Sequence, residues 1–212
     1  MYQKYFKRLF DFTVSFLAIV CVSPLFMVLS LLVYLNLGRP VLFRQKRPGK
    51  NERLFTLYKF RTLSVQCDKG GKLLPDGQRV TRFGNWLRSA SLDELPQLVN
   101  ILKGDMSFVG PRPLLASYLP YYTANERIRH TVRPGLTGMA QISGRNTLGW
   151  DLRLQNDLAY VKNVRLKTDI QIIWQTIGQV VRKKDVLDRE QDRMPDLSKE
   201  RSELYGNSSI QR

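Results

Sequence analysis

Phe12 to Leu37 carries no charged side chain over 26 positions. From Phe12 to Leu35 every residue except Thr13, Ser15, Ser23, Pro24 and Ser30 is apolar or tyrosine. Rising about 1.5 Å per residue, a helix of this length can cross a ~30 Å hydrocarbon core. A cleaved leader fits poorly, because the run exceeds the usual apolar region and no small-x-small site precedes Arg39-Pro40. A membrane segment is therefore expected, and two features argue against a simple span. Pro24 removes a backbone donor and crowds the carbonyl four residues back, so a kink is expected there; Ser23 can bond the freed carbonyl. Each arm is then too short to span alone. The flanks are basic on both sides, Lys4, Lys7 and Arg8 before, and Arg39, Arg44, Lys46, Arg47, Lys50 and Arg53 after. The positive-inside rule asks for both ends on the cytoplasmic side. A re-entrant helix–break–helix satisfies both flanks; a single kinked span, a common arrangement, satisfies one.

The whole chain has 212 residues, with 34 Lys and Arg against 18 Asp and Glu, a net charge of +16. That excess asks for a polyanion: nucleic acid, an anionic membrane face or a phosphate-rich substrate. Two cysteines, Cys21 and Cys67, cannot build a disulfide framework, and one histidine, His130, excludes multi-histidine metal centres. After the apolar segment the chain reads as one domain over residues 39–184. Leu54 to Phe60 is a short strand or an interfacial segment, and Asp68 to Gly77 is a loop with Gly and Pro turn chemistry. A helix is expected from Leu92 to Lys103, ended by Gly104, and two more over Asp151 to Arg165 and Ile170 to Lys184. In the last, Ile170, Ile173, Trp174, Ile177, Val180 and Val181 share one face. Residues 185–212 form a polar, charge-mixed tail.

Four constellations carry chemistry. Ser91-Leu92-Asp93-Glu94-Leu95-Pro96 places two carboxylates at a helix start, with Ser91 or Asp93 as the cap. Acidic residues there simply complement the helix dipole, yet Arg79, Arg82, Arg88, Lys103 and Arg112 surround the pair. A carboxylate among cations can attack phosphorus and form an acyl-phosphate, and paired carboxylates can hold Mg²⁺. In Gly110-Pro111-Arg112-Pro113 two prolines restrict the backbone around Arg112, which suits rigid presentation of a guanidinium to phosphate or, equally, a plain turn. Arg133 to Arg145 holds three of the chain's glycines, which either let backbone amides approach an anion or make an ordinary loop. Asp157 and Asp169 are isolated carboxylates on presumed helices.

These residues resemble a family. Ser91-Leu92-Asp93-Glu94-Leu95-Pro96-Gln97-Leu98, Leu102-Lys103-Gly104-Asp105-Met106-Ser107 and Gly110-Pro111-Arg112-Pro113 are similar to the signature of the bacterial monotopic phosphoglycosyl transferases. The similarity extends to Lys59-Phe60-Arg61, to Arg133-Pro134-Gly135-Leu136-Thr137-Gly138 with Gln141 and Gly144-Arg145, to Asp157-x-x-Tyr160-Val161 and to Asp169-Ile170-x-Ile172. It covers roughly residues 4–182, and departs where Thr62-Leu63 follows Lys-Phe-Arg in place of the usual Ser-Met.

The resemblance implies a mixed α/β, mostly helical fold. Residues 1–38 would be a re-entrant membrane helix broken at Ser23-Pro24, followed by a catalytic domain with interfacial amphipathic helices on the cytoplasmic face of the bacterial inner membrane. It implies transfer of a sugar-1-phosphate from a UDP-sugar to polyprenyl (undecaprenyl) phosphate with release of UMP, through a phosphosugar–Asp93 intermediate and with Mg²⁺. Asp93 and Glu94 would be the catalytic and metal residues. Lys59, Arg88, Arg112 and Arg145 would hold phosphates, with Asp157 and Asp169 supporting the nucleotide or sugar. Anionic inner-leaflet lipids are the further partner, and no nucleic acid is expected. A basic nucleic-acid-binding protein would explain the charge but lacks a recognition motif. A non-catalytic scaffold or regulator would explain the anchor but not Asp93-Glu94 beside Arg112.

Overall fold

A computed structural model describes residues 2–144, 148–181 and 196–205. After a π-helical turn at Tyr2–Phe6, helix α1 runs over Lys7–Leu37. A hairpin of β1 (Leu42–Pro48) and β2 (Leu54–Phe60) follows, then the short α2 (Asp76–Arg79) and α3 (Arg82–Ser89). A 3-10 turn at Leu92–Glu94 leads into α4 (Gln97–Lys103) and β3 (Ser107–Val109). Two further 3-10 turns precede β4 (Gly135–Thr137), and α5 (Met139–Gly144), α6 (Trp150–Lys162), α7 (Leu166–Val181) and α8 (Leu197–Tyr205) complete the described chain. Both sheets have two strands, β1 with β2 antiparallel and β3 with β4 parallel. This is a mostly helical, mixed α/β architecture.

Helix α1 is long and apolar enough to cross a membrane, with a mean hydropathy of 2.7 over its best window and little of that window covered by protein. A single helix, Lys7–Leu37, includes Pro24. The physical reason is local. Pro24 leaves the Val20 carbonyl without its helical donor, and the Ser23 hydroxyl donates to that same oxygen at 2.8 Å.

The amino-terminal part of α1 docks through a polar stripe. Lys7, Asp11 and Ser15, one turn apart, are buried against the domain. Lys7 Nζ donates to Asp169 Oδ2 at 2.5 Å, and Tyr2 donates to the same oxygen at 2.6 Å. Tyr160 donates to Asp169 Oδ1 at 2.7 Å. Burial, then the charge of Asp169, push the Tyr160 phenol far up, so it stays a donor. Asp11 accepts from the Ser107 hydroxyl and the Phe108 amide, both at 3.1 Å. Arg8 donates to the carbonyls of Ile101 and Leu102 at 2.7 and 2.8 Å, the exposed end of α4. Lys7 and Arg8 therefore face protein, where their position in the flank suggests headgroups. At the other end, Leu29, Val33 and Leu37 pack with Phe60 and Leu87. Arg61 there donates to the carbonyls of Leu37, Gly38 and Arg39 that end the helix.

The glycine-rich segment 133–145 is not the simple loop its composition suggests. It contains β4, and Gly135 meets Gly110 backbone to backbone: a Cβ on Gly135 would lie 2.1 Å from the Gly110 nitrogen. These glycines serve close packing behind the Arg112 turn. Part of the face named on α7 lies open: Ile170, Trp174 and Ile177 are 57%, 76% and 51% exposed, while Ile173 packs against the core. Such a stripe suits an interfacial helix. Within the expected tail, α8 folds back, with Leu197 buried among Leu114, Tyr118, Tyr122, Trp150 and Leu154.

Replacing Asp169 with alanine strands the buried Lys7 ammonium. Asp169→Ala is expected to cost about 3 kcal/mol, read as a lower melting temperature and faster proteolysis ahead of α1 in the detergent-solubilised protein.

Candidate active site

The hairpin, the turn before α4 and the turn after β3 converge on one cleft, lined by Arg47, Leu57, Lys59, Glu94, Gln97, Arg112, Leu114, Tyr118 and Trp150 among others. Register explains the hairpin's share. Lys59 pairs with Phe43, Leu57 with Gln45 and Phe55 with Arg47, so alternate residues of both strands face the cleft. Asn100 locks α4 to this hairpin: it is fully buried, accepts from the Tyr58 amide at 3.1 Å and donates to the Thr56 carbonyl at 2.8 Å. The residue on β2 that faces the dyad, Lys59, is thereby held opposite it.

The two carboxylates sit in the 3-10 turn Leu92–Glu94. Ser91 has φ of 54° and makes no capping bond, so neither proposed cap forms as drawn; the turn is entered through a left-handed residue. Glu94 Oε1 accepts from Lys59 Nζ at 2.6 Å and from Arg112 Nη2 at 3.1 Å. Asp93 is 8% exposed and its Oδ2 lies 3.8 Å from Lys59 Nζ. The neighbours titrate in opposite directions. Burial would raise Glu94, but Lys59 and Arg112 overcome it and bring the carboxyl down to about 2. Burial raises Asp93, Glu94's charge adds to the rise, and Lys59, Arg112 and Arg88 only partly offset it. Glu94 is thus committed to its cations, whereas Asp93 is a buried carboxylate that an arriving cation or phosphate-bound metal would stabilise.

Arg112 is held from behind. Arg129 donates to the Arg112 carbonyl at 2.8 Å and to Asp157 Oδ2 from Nη2 and Nε at 2.7 and 3.1 Å. Sequence reasoning missed Arg129, one of three arginines between positions 127 and 133; no spacing rule pairs it with Asp157. It also missed Gln97, buried in the cleft, and Asn100, both polar residues on an otherwise apolar helix face.

Of the residues expected at the site, Lys59, Asp93, Glu94 and Arg112 come together, and Arg88 is close enough to act on Asp93. Asp157 and Asp169 do not line the cleft. The first holds Arg129, and the second holds Lys7, Tyr2 and Tyr160. Each is a buried carboxylate matched by a cation, as a buried charge requires. Arg145 lies outside the described residues.

The sequence profile of the bacterial sugar transferases matches residues 2–183. The chain belongs to that family. An uncharacterised sugar transferase of Bacillus subtilis, EpsL, is 47% identical over 175 residues, covering 82% of this chain and 87% of that protein. The exopolysaccharide production protein ExoY of Sinorhizobium fredii is 38% identical, covering 82% and 84%. A UDP-glucose:undecaprenyl-phosphate glucose-1-phosphate transferase of Klebsiella pneumoniae is 40% identical over 81% of this chain but only 39% of that longer protein.

The transferase offers a defined set of metal donors. Among the described residues no cluster of three or more His, Cys, Asp or Glu could hold a metal by itself. Mg²⁺ typically takes one or two carboxylates and completes its shell with water and substrate phosphates. Asp93 and the second oxygen of Glu94 would be the residues to fit that mode. His130 fits no part of the chemistry: burial, Arg129 and Arg127 push it down to about 3, so it stays neutral.

The Arg129–Asp157 pair gives a clear test. Asp157→Ala leaves a fully buried guanidinium unpaired and is expected to cost about 3–5 kcal/mol. Thermal unfolding should show Asp157→Asn to be milder, since it keeps one acceptor for Arg129.

Proposed function

We propose that this transferase moves a sugar-1-phosphate from a UDP-sugar to polyprenyl phosphate, releases UMP, and so begins the assembly of a membrane-linked glycan. The observation that carries the reading is the inequality of the dyad: a buried Asp93, short of hydrogen bonds, beside a Glu94 neutralised by Lys59 and Arg112. Relatives named as undecaprenyl-phosphate sugar phosphotransferases support the reaction class.

The chemistry proceeds as two displacements. An Asp93 oxygen attacks the sugar-bearing phosphorus, and the bond to the bridging oxygen breaks. The electron pair leaves with UMP, and a phosphosugar–aspartyl acyl phosphate remains. The oxygen of polyprenyl phosphate then attacks the same phosphorus and returns the electron pair to Asp93. Lys59 and Arg112 hold the phosphoryl oxygens, with Arg88 and Arg145 as further phosphate ligands. Mg²⁺ held by Asp93 and Glu94 would neutralise diphosphate charge. Two displacements let one cationic cleft serve a soluble and a lipid-borne phosphate in turn.

The membrane segment is read as re-entrant, with the domain on the cytoplasmic face of the inner membrane. The support is charge on both flanks and the tie between the two ends of α1 and one domain. Reporter cysteines at Gln3 and Lys50, in a chain lacking Cys21 and Cys67, should both be protected from impermeant reagents in intact cells and both react in inverted vesicles. Labelling of the Gln3 position in intact cells would mean a span.

Asp93→Asn is expected to abolish UMP release. Because burial disfavours its charge, the same change should leave the melting temperature equal to or above the parent's. A sugar-phosphate adduct trapped on a peptide lacking Asp93 refutes the assignment. The pH profile carries a sign. Asp93 must be ionised, and its carboxyl is raised, so the first half-reaction should fail on acidification above the ordinary carboxylate range. Glu94→Gln removes a like charge and should move the acid limb of the residual activity to lower pH.

A further inference from the structure

Arg47 is a cation of the cleft that the dyad does not employ. It stands on β1, on the face shared with Leu57 and Lys59, and lines the same cleft. Its Nη2 donates to Gln45 Oε1 at 2.6 Å, while its Nε is buried with no hydrogen-bond partner. Among the described residues no carboxylate lies within ion-pair distance of it; Glu94 is committed to Lys59 and Arg112. Its charged neighbour is a second guanidinium, Arg112, and beyond that stand the hydroxyls of Tyr118 and Tyr122. Burial first, and then the charge of Arg112, bring Arg47 down to about 10. Two guanidiniums lining one half-buried cleft, one with a buried donor that has no partner among the described residues, cost free energy unless an anion joins them.

The direction of the cleft says which anion. By register Arg47 stands opposite Phe55, four residues along β2 from Lys59, the residue that holds Glu94, and it lines the cleft together with Tyr118, which packs edge-on against Trp150 at 5.4 Å. In an in-line displacement the leaving group departs on the side opposite the nucleophile. Asp93 is beside Glu94, so the leaving oxygen and its phosphate emerge on the Arg47 side.

We propose that Arg47 and Arg112 form a two-guanidinium clamp for the phosphate of the departing nucleotide, with Arg47 dedicated to that phosphate and Arg112 shared with the sugar-bearing one. The inference rests on the transferase reading above. When the Asp93 oxygen bonds to the sugar-bearing phosphorus, the bridging oxygen keeps the electron pair of the broken bond. The nucleoside monophosphate gains a negative charge, which Arg47 meets with donors already in place.

The test uses the full-length protein in detergent or lipid. Arg47→Gln should raise KM for the UDP-sugar and the inhibition constant of UMP by about ten- to a hundred-fold, the loss of one or two charge-assisted hydrogen bonds. KM for polyprenyl phosphate should not move. Lys46→Gln, which removes an exposed charge from the opposite face of the same strand, should leave all three constants unchanged and so controls for membrane attraction. Arg47→Lys, which keeps the charge but not the fork, should fall between and covers the case in which Arg47→Gln fails to fold. A rise confined to polyprenyl phosphate, or an unchanged UMP inhibition constant, overturns the proposal. UMP protection against heat separates the two readings. If the parent transfers no sugar from any UDP-sugar yet UMP protects it and not Arg47→Gln, the transferase reading fails and the clamp stands. If transfer is normal and UMP protects both equally, the clamp fails and the transferase reading stands.

Discussion

The polar attachment of a hydrophobic helix at both of its ends is the constraint on which the rest of this structure depends. An apolar helix has no reason to hold one orientation against a water-soluble domain; hydrocarbon serves its side chains as well as protein does. Lys7, Arg8 and Asp11 supply that reason at one end, and Arg61 at the other. The bonds are made with the elements that carry the site. Arg8 reaches the end of α4, whose entry turn bears Asp93 and Glu94, and Asp11 reaches β3, whose exit turn bears Arg112. Membrane attachment and site geometry are one piece of architecture. On the proposed function, a cleft that meets a lipid-borne phosphate at a defined depth needs that coupling.

Within the cleft, charge is placed unevenly on purpose of chemistry. Glu94 absorbs Lys59 and Arg112 and is ionised under all ordinary conditions, which leaves Asp93 buried beside cations it does not fully own. A nucleophile that was itself tightly paired would be a poor one, because attack would first break the pair. The arrangement costs stability and is tolerated because Arg129, Asp157, Asn100 and the Gly110–Gly135 contact make the surrounding shell rigid.

How much was legible varies with the physics. The apolar segment, the helix ended by Gly104, the apolar periodicity of α7 and the paired carboxylates all follow from local pattern, and the structure contains each of them; that part of the α7 face is exposed came only from the structure. Where local pattern allowed two outcomes, contacts chose. At Pro24 the Ser23 hydroxyl bonds the carbonyl that the proline frees, and helical backbone continues on both sides. The glycines of 133–145 read as an ordinary loop or as one that lets amides approach an anion, whereas Gly135 and Gly138 let two backbones touch. Asp157 and Asp169 read as site residues and are buried supports, because each found a cation more than twenty residues away.

The sequence by itself determined that a long apolar helix is followed by a basic domain with a carboxylate pair and a rigidly presented arginine, since charge, hydropathy and proline geometry act over a few neighbouring residues. Only the tertiary structure decided which cations face the carboxylates and which face protein. Lys7, Arg8 and Arg61 were spent on the helix, Arg129 on Asp157, and Lys59, Arg112 and Arg47 were left for the cleft. All seven carry the same charge in the sequence. Burial and the distance to a partner set elsewhere in the chain gave them different work.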